Sequence, residues 1–242
     1  MIATAKQASA VQSRLLSAVS VFPAELLSYA REIRITAGQT MYDGQSPISY
    51  CIFPETSLLT LMSYTESGAS VAVGMVGNEG MLGIAALFDE KLLPYRTTAL
   101  ASGTALRVPA AKLRDWLRQD LAFRNCVVHF LHAVFAQVVQ TAACNRFHVT
   151  EQRLARWLLL AQDRMNVDKM PFTHEALAAM LGTDRVSITR AARKLKREGL
   201  LNYTRGKTTI LDRQGLLSVG CECYTTIKKE YEALAQTCSM KR

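Results

Sequence analysis

The segment of residues 173–196 constrains the fold of this chain more than any other part of it. It reads THEALAAMLGTDRVSITRAARKLK, with apolar residues at helical spacing on both sides of Gly182. Thr173 and Asp184 are suited to cap two helices, because their side-chain oxygens accept hydrogen bonds from free backbone N–H groups. Glycine takes the backbone conformation that a sharp turn needs. The pattern predicts two short helices that cross at a steep angle.

The residues after the second helix predict a β-hairpin. Residues 198–201 end the helix and start a strand, and residues 208–211 form a second strand after a turn that contains Arg205, Gly206 and Lys207. Two crossing helices followed by a hairpin constitute a winged helix-turn-helix. In that motif the second helix enters the major groove of DNA with its N-terminal residues toward the bases.

The candidate DNA contacts are the cap of the first helix, the exposed positions of the second and the hairpin tip. They are Thr173, Arg185, Ser187, Thr189, Arg190, Arg193, Lys194, Arg205, Gly206 and Lys207. Arg185 and Arg190 lie in the early turns, where arginine can bind guanine, whereas the later basic residues suit phosphates. The alternative is that these side chains are ordinary charges that face solvent.

The net charge of +9 on 242 residues is concentrated in the C-terminal part. Residues 1–150 carry 12 Lys/Arg against 10 Asp/Glu, whereas residues 151–242 carry 17 against 10. A local basic excess suits a phosphate backbone. Charge alone is more typical of a solvated basic surface, and the helical motif is what favours double-stranded DNA as the partner.

Short apolar stretches separated by glycine-containing turns occupy the N-terminal part, after a short helix expected at residues 23–31. The stretches of strand length are residues 48–53, 57–64, 70–75, 97–101 and 104–108, and residues 65–68 resemble a hairpin turn. Short strands at this spacing predict a small antiparallel sandwich or roll.

Helical spacing begins after Pro109, with a short helix at residues 111–118 and a long one at residues 121–144. The long helix carries one predicted apolar stripe, made of Val127, Phe130, Leu131, Val134, Phe135, Val138, Val139 and Ala142. Such a stripe needs a partner, either the sheet domain of the same chain or the same helix of a second copy, and we favour the second copy. A further amphipathic helix spans residues 150–164, with Thr150 as its expected N-cap.

These elements predict an α+β chain with three parts. Residues 1–110 form the N-terminal helix and the sandwich or roll, residues 111–147 form a linker and a long dimerisation helix, and residues 148–242 form the winged helix-turn-helix domain. No run of eighteen uncharged apolar residues and no apolar segment at the N-terminus is present, which predicts a cytoplasmic protein that does not bind membranes.

Over residues 22–224 the chain resembles the Crp/Fnr family, that of the cyclic-AMP receptor protein and the fumarate-nitrate regulator. Five residues match the family pattern: Gly182, Arg185, Arg190, Gly206 and Lys207. In contrast, Val186 replaces a glutamate that normally contacts cytosine. The resemblance implies that residues 1–110 form a β-roll sensor domain. It also implies a transcription regulator that binds a pseudo-palindromic operator as a homodimer and contacts RNA polymerase. The valine implies a different preferred operator.

The resemblance also implies a small-molecule effector, with Gly83, Arg96 and Thr97 as its candidate contacts. Ile84 stands where the family has the glutamate that holds the ribose of a cyclic nucleotide, so cyclic AMP is not the expected effector. The favoured interpretation of these residues is that residues 77–83 form ordinary turns of the roll and that Arg96 is a surface charge. Because no cysteine precedes Cys51, the iron–sulfur signature of the oxygen-sensing branch is missing, and the effector is left unknown.

The six cysteines are expected to be free thiols, as in most cytosolic proteins. Cys221 and Cys223 with Cys238 could bind a soft metal or respond to oxidation, and Cys126, His129 and His132 could gather a metal across a dimer axis. Packing is favoured in both cases, so no metal and no cofactor is predicted.

No GxSxG, P-loop or HExxH motif occurs, which argues against an enzyme. The alternative function is a ligand-sensing or redox-sensing module that acts mainly through protein contacts.

Overall fold

The computed structural model describes residue 15 and residues 24–88, 90, 92–204 and 206–239. A short helix, α1, precedes seven strands and, between the fifth and sixth strands, a 3-10 helix at Ile84–Phe88. The elements are α1 (Ala24–Tyr29), β1 (Arg31–Ile35), β2 (Thr40–Tyr42), β3 (Tyr50–Pro54), β4 (Leu58–Tyr64), β5 (Ser70–Val76), β6 (Arg96–Ala101) and β7 (Gly103–Pro109). The predicted roll is confirmed. Its first two strands escaped the sequence analysis because one is charged and mostly exposed and the other has three residues.

The strands form two antiparallel sheets, in the orders β1-β7-β3 and β2-β6-β4-β5. Apolar side chains from both sheets, among them Phe53, Leu59 and Leu106, are buried in one core. The predicted hairpin turn joins β4 to β5, with Gly68 at a φ of 86° that a side chain would disfavour. The expected N-terminal helix is present as α1, and Pro23 lies outside the described residues.

Two helices follow the roll, α2 (Ala110–Gln119) and α3 (Leu121–Phe147). The predicted single stripe of α3 is in fact two faces. Val127 and Phe130 are buried within the protomer, whereas Phe135 is 67% exposed and Val139 is 47% exposed. By length and composition alone α3 could cross a membrane, but 33% of its most apolar window is packed inside the protein.

Within the described residues, the C-terminal part holds five helices and a three-stranded sheet. Its elements are α4 (Thr150–Met165), β8 (Lys169–Met170), α5 (His174–Leu181), α6 (Arg185–Arg197), β9 (Leu201–Thr204), β10 (Lys207–Ile210), α7 (Arg213–Val219) and α8 (Cys223–Ser239). The hairpin of β9 and β10 follows α5 and α6, and β8, which precedes these helices, pairs with β10. This arrangement confirms the winged helix-turn-helix.

One capping prediction is wrong. Thr150 is the first residue of α4 and not its N-cap, because the chain enters the helix at Val149. The side chain of Gln152 takes part in this cap, because its Oε1 accepts a hydrogen bond from the exposed Val149 amide at 3.3 Å.

Helix α8 folds back antiparallel along α3. Near its start Cys221 lies beside Cys144, and further along Glu230 Oε2 lies 3.2 Å from His132 Nδ1. The winged helix also packs against the roll, because Ala72 and Met75 of β5 share a buried core with Leu158 and Leu181. The structure therefore joins the roll, α3 and the winged helix directly.

Candidate nucleic-acid interface

The turn between α5 and α6 is fixed by two capping residues and one glycine. Thr173 Oγ1 accepts a hydrogen bond from the Ala176 amide at 3.0 Å, and Asp184 Oδ1 accepts one from the Ser187 amide at 2.8 Å. Hydrogen bonds from Ser187 lower the pKa of Asp184, so this cap stays ionised at neutral pH. Gly182 has a φ of 58°, as the sharp turn requires. These contacts fix the start of α6.

Helix α6 has one buried face and one basic face. Ile188, Ala191, Ala192 and Leu195 are buried, whereas Arg185, Arg190, Arg193 and Lys194 are exposed. Two of these cations have acidic neighbours: Arg185 Nε lies 3.9 Å from Glu175 Oε2, and Lys194 Nζ lies 4.0 Å from Glu151 Oε1. Ion pairs this long and this exposed are weak, so both cations are available to a phosphate or a base.

Two of the predicted contact residues already make side-chain hydrogen bonds within the helix-turn-helix. Ser187 Oγ donates to Asp184 Oδ2 at 2.7 Å, and Thr189 Oγ1 donates to the Arg185 carbonyl at 2.8 Å. The sequence analysis missed His174, whose Nδ1 lies 3.0 Å from Thr189 Oγ1. Burial, followed by the charges of Arg185 and Arg193, lowers the pKa of His174, so its ring is neutral at neutral pH. His174 therefore positions Thr189 across the crossing of the two helices.

The hairpin tip lies beside the start of α5. Lys207 is exposed, and Gly206 has a φ of 79° that favours glycine. A Cβ atom at Gly206 would lie 3.4 Å from Thr173 Cγ2, so these two predicted residues are neighbours. Arg205 lies outside the described residues. The tip, the cap of α5 and the basic face of α6 thus belong to one end of the winged helix.

The three candidate effector residues are not gathered in one cleft. Arg96 lines a cleft of about 260 Å³ with Tyr64 and Tyr95, and its guanidinium carbon lies 4.7 Å from the centre of the Tyr64 ring. Thr97 is fully buried, and its Oγ1 accepts a hydrogen bond from the Tyr42 amide at 3.0 Å. Gly83 approaches the Tyr50 carbonyl too closely for a side chain. Neither of them lines the Arg96 cleft.

The expectation of free thiols is wrong for one pair of cysteines. Cys126 and Cys238 form a disulfide with their Cα atoms 5.5 Å apart, because α8 folds back along α3. Cys238 is therefore bonded to Cys126 of α3 and does not join Cys221 and Cys223. The other four cysteines are free and buried, and a hydrogen bond from Cys144 lowers the pKa of Cys221.

Comparison with known proteins agrees with this architecture. The Crp-like helix-turn-helix domain matches residues 152–219, and the cyclic nucleotide-binding domain matches residues 32–120. Among curated proteins no relative matches the chain significantly.

Solved structures give the same fold. TTHB099, a CRP-family transcriptional regulator from Thermus thermophilus, has a TM-score of 0.66 at 19% identity over 77% of this chain and 95% of its own. FixK2 from Bradyrhizobium japonicum also has a TM-score of 0.66, at 15% identity over 79% of this chain and 98% of its own. CLP, a c-di-GMP-responsive global regulator from Xanthomonas campestris, has a TM-score of 0.62 at 13% identity over 76% and 94%.

A sensor-type roll, a long helix and a winged helix with a basic α6 together define a DNA-binding transcription regulator. The chain belongs to the Crp/Fnr family of such regulators.

Proposed function

We propose that this chain is a cytoplasmic homodimer that binds a pseudo-palindromic operator with one α6 in each major-groove half-site. The observation that carries the proposal is the set of exposed basic side chains on α6, beside the hairpin lysine at the same end of the winged helix. A two-fold dimer presents this surface twice, so the half-sites should lie about 10–10.5 bp apart or a multiple of that.

The residues of the interface divide into two roles. Arg185 and Arg190, in the early turns of α6, contact base edges, and guanine O6/N7 is the preferred acceptor pair for arginine. Val186 lies between these two arginines in the sequence and is 66% exposed. Its apolar side chain can contact the methyl group of thymine, whereas a charged glutamate at this position would not make that contact.

The remaining predicted residues either bind the phosphate backbone or shape the elements that do so. Arg193, Lys194, Arg205 and Lys207 bind phosphates, whereas Thr173, Ser187, Thr189 and Gly206 shape the start of α6 and the hairpin beside it.

One substitution separates base contact from phosphate contact. Arg190→Ala should cost about 1–3 kcal/mol of binding at each half-site of the preferred operator and relax discrimination at one base pair per half-site. Fluorescence anisotropy with duplexes changed at single positions measures both effects. Arg34→Ala, an exposed arginine on β1, is the matched control and should change neither. An equal loss on every sequence would instead place Arg190 on the phosphates.

The exposed face of α3 is the surface that we propose for dimerisation. Val128, Leu131, Phe135 and Val139 follow one another at three-residue or four-residue spacing, and all four are exposed in the single protomer. A second copy of α3 packed on this face would bury them, as in other two-fold helical interfaces.

Phe135→Glu should weaken the dimer by about 2 kcal/mol or more, because a large aromatic at the centre of an interface contributes much of its energy. Sedimentation velocity across a concentration series should then show monomer where the wild type is dimeric. Leu211→Glu changes an apolar side chain of similar exposure in the winged helix and should leave the dimer intact. A variant at Phe135 that stays fully dimeric would move the interface elsewhere.

Gel shifts test the proposed function against its alternative, a sensor module that acts through protein contacts. The proposal expects binding to random duplex at low salt and tighter binding to a selected site. A protein that acts through protein contacts alone would bind neither duplex. RNA polymerase is the proposed protein partner on the promoter, and no enzymatic role is proposed.

The small-molecule effector is not identified. Arg96 is the contact that we propose for an anionic effector, since it lines the cleft beside Tyr64 and Tyr95, to which neither Gly83 nor Thr97 contributes. Contact of the effector with Gly83 or Thr97 stays a prediction.

A further inference from the structure

Four potential metal ligands meet where the long helix ends and the winged helix begins. Cys144 lies in the last turn of α3, and His148 follows that helix. Cys223 is the first residue of α8, and Cys221 lies two residues before it. Their sulfur and nitrogen ligand atoms all lie within 4.8 Å of one another. The three cysteines are buried and form a small cluster of their own.

The spacing of these atoms fits a single tetrahedral ion. Ligands about 2.3 Å (sulfur) and about 2.0 Å (nitrogen) from a tetrahedral zinc ion place sulfurs about 3.8 Å apart and sulfur and nitrogen about 3.5 Å apart. Here Cys144 Sγ lies 3.6 Å from Cys221 Sγ, and Cys223 Sγ lies 3.6 Å from His148 Nδ1. An iron–sulfur cluster would need wider spacing, because several irons and sulfides lie between its ligands.

The histidine is oriented by a second residue, as is usual around metals. His148 Nε2 lies 3.3 Å from Glu222 Oε1, which leaves Nδ1 directed at the sulfurs. In metal sites the ring nitrogen that does not bind the ion commonly donates to a carboxylate in this way.

A buried cation lies close to the cluster and keeps one of its donors unpaired among the described residues. Arg156 is only 1% exposed, and its guanidinium interacts electrostatically with Cys144 and Cys223. Its Nη1 donates to Thr141 Oγ1 at 3.2 Å, whereas its Nε has no hydrogen-bond partner within the described ranges. Buried charges are normally paired. Three thiolates, one neutral imidazole and a divalent cation carry a net negative charge, which Arg156 would balance.

We propose that Cys144, His148, Cys221 and Cys223 bind one soft divalent metal ion, for which Zn²⁺ is the best fit. The ion joins the end of α3 to the start of α8 and so fixes the junction from which the winged helix extends. Three thiolates and one imidazole without an open position are typical of a structural site. This proposal does not depend on operator binding, since metal content is measured without DNA.

Metal analysis of the full-length protein, purified in reducing buffer, tests the site directly. We expect about one zinc per chain. Metal-free protein titrated with Co²⁺ alone should develop the visible absorption of a tetrahedral thiolate complex. Cys144→Ala and Cys223→Ala should abolish that absorption, whereas Cys51→Ala, which removes a buried thiol of the roll, should retain it.

Glu222→Gln serves as a second variant that keeps every ligand, since its side chain is 77% exposed and its loss should not unfold the protein. It should weaken Co²⁺ binding by about 10-fold to 100-fold. Three results would overturn the proposal: fully reduced protein without zinc or a cobalt spectrum, iron and sulfide in place of zinc, or metal that persists in both ligand variants.

Discussion

Glu79→Ala is expected to lower the free energy of unfolding by about 3–5 kcal/mol, because it leaves a buried guanidinium without its counter-ion. Arg164 of α4 is 5% exposed, and its Nε donates to Glu79 Oε1 at 2.8 Å. Its Nη2 donates to Gln137 Oε1 of α3 at 3.2 Å, and its guanidinium carbon lies 4.7 Å from the centre of the Tyr231 ring of α8. Burial lowers the pKa of Arg164, but Glu79 and Tyr231 more than compensate, so the net shift is upward.

Urea denaturation at one fixed protein concentration measures this loss, since the stability of the proposed dimer would depend on concentration. Glu232→Ala breaks an exposed pair in which Lys228 Nζ lies 3.6 Å from Glu232 Oε1, and it should cost less than about 1 kcal/mol. The double variant with Glu79→Leu and Arg164→Met should recover most of the stability, because neither charge is then left unpaired. If Glu79→Ala and Glu232→Ala lowered the free energy of unfolding by equal small amounts, the buried pair would not stabilise the contact between the roll and the winged helix.

Affinity for the operator should fall about 10³-fold to 10⁵-fold between 50 and 200 mM salt, the loss typical of about 6–10 phosphate contacts. The proposed phosphate-binding side chains Arg193, Lys194, Arg205 and Lys207 occur twice in a dimer. Each contact releases a condensed counterion, so binding becomes weaker as the salt concentration rises.

Binding isotherms at several salt concentrations give the slope of log affinity against log salt. Lys207→Ala should make the slope shallower by about 2, since each phosphate contact contributes about 1 and the dimer loses two. Arg34→Ala should leave the slope unchanged, since it lies on β1 of the roll. Affinity that is insensitive to salt would contradict the phosphate assignments.

The winged helix could be predicted from sequence because its signals are local. Thr173, Gly182 and Asp184 each act on backbone within a few residues, and the structure shows each in its expected place. The long helix could be predicted for the same reason. The division of its stripe into a buried face and an exposed face could not, because burial depends on where β5 and α8 pack.

Contacts between distant parts of the chain were beyond the sequence analysis. Cys126 and Cys238 are 112 residues apart, and their pairing follows only from the antiparallel return of α8. The four residues of the proposed metal site come from two places in the sequence. The sequence analysis noted Cys221 and Cys223, but it could not bring them to Cys144 and His148 without the antiparallel return of α8. The pairing of Arg164 with Glu79 carries no sequence signal, since neither residue lies in a motif.

Selection of bound sequences from a random duplex pool, at low salt, tests the central claim most directly. The account predicts enrichment of a two-fold symmetric site whose half-sites are centred about 10–10.5 bp apart or a multiple of that. It also predicts that Arg185→Ala and Arg190→Ala each lose selectivity within the half-site. A protein that enriches no sequence and ignores every duplex would contradict it.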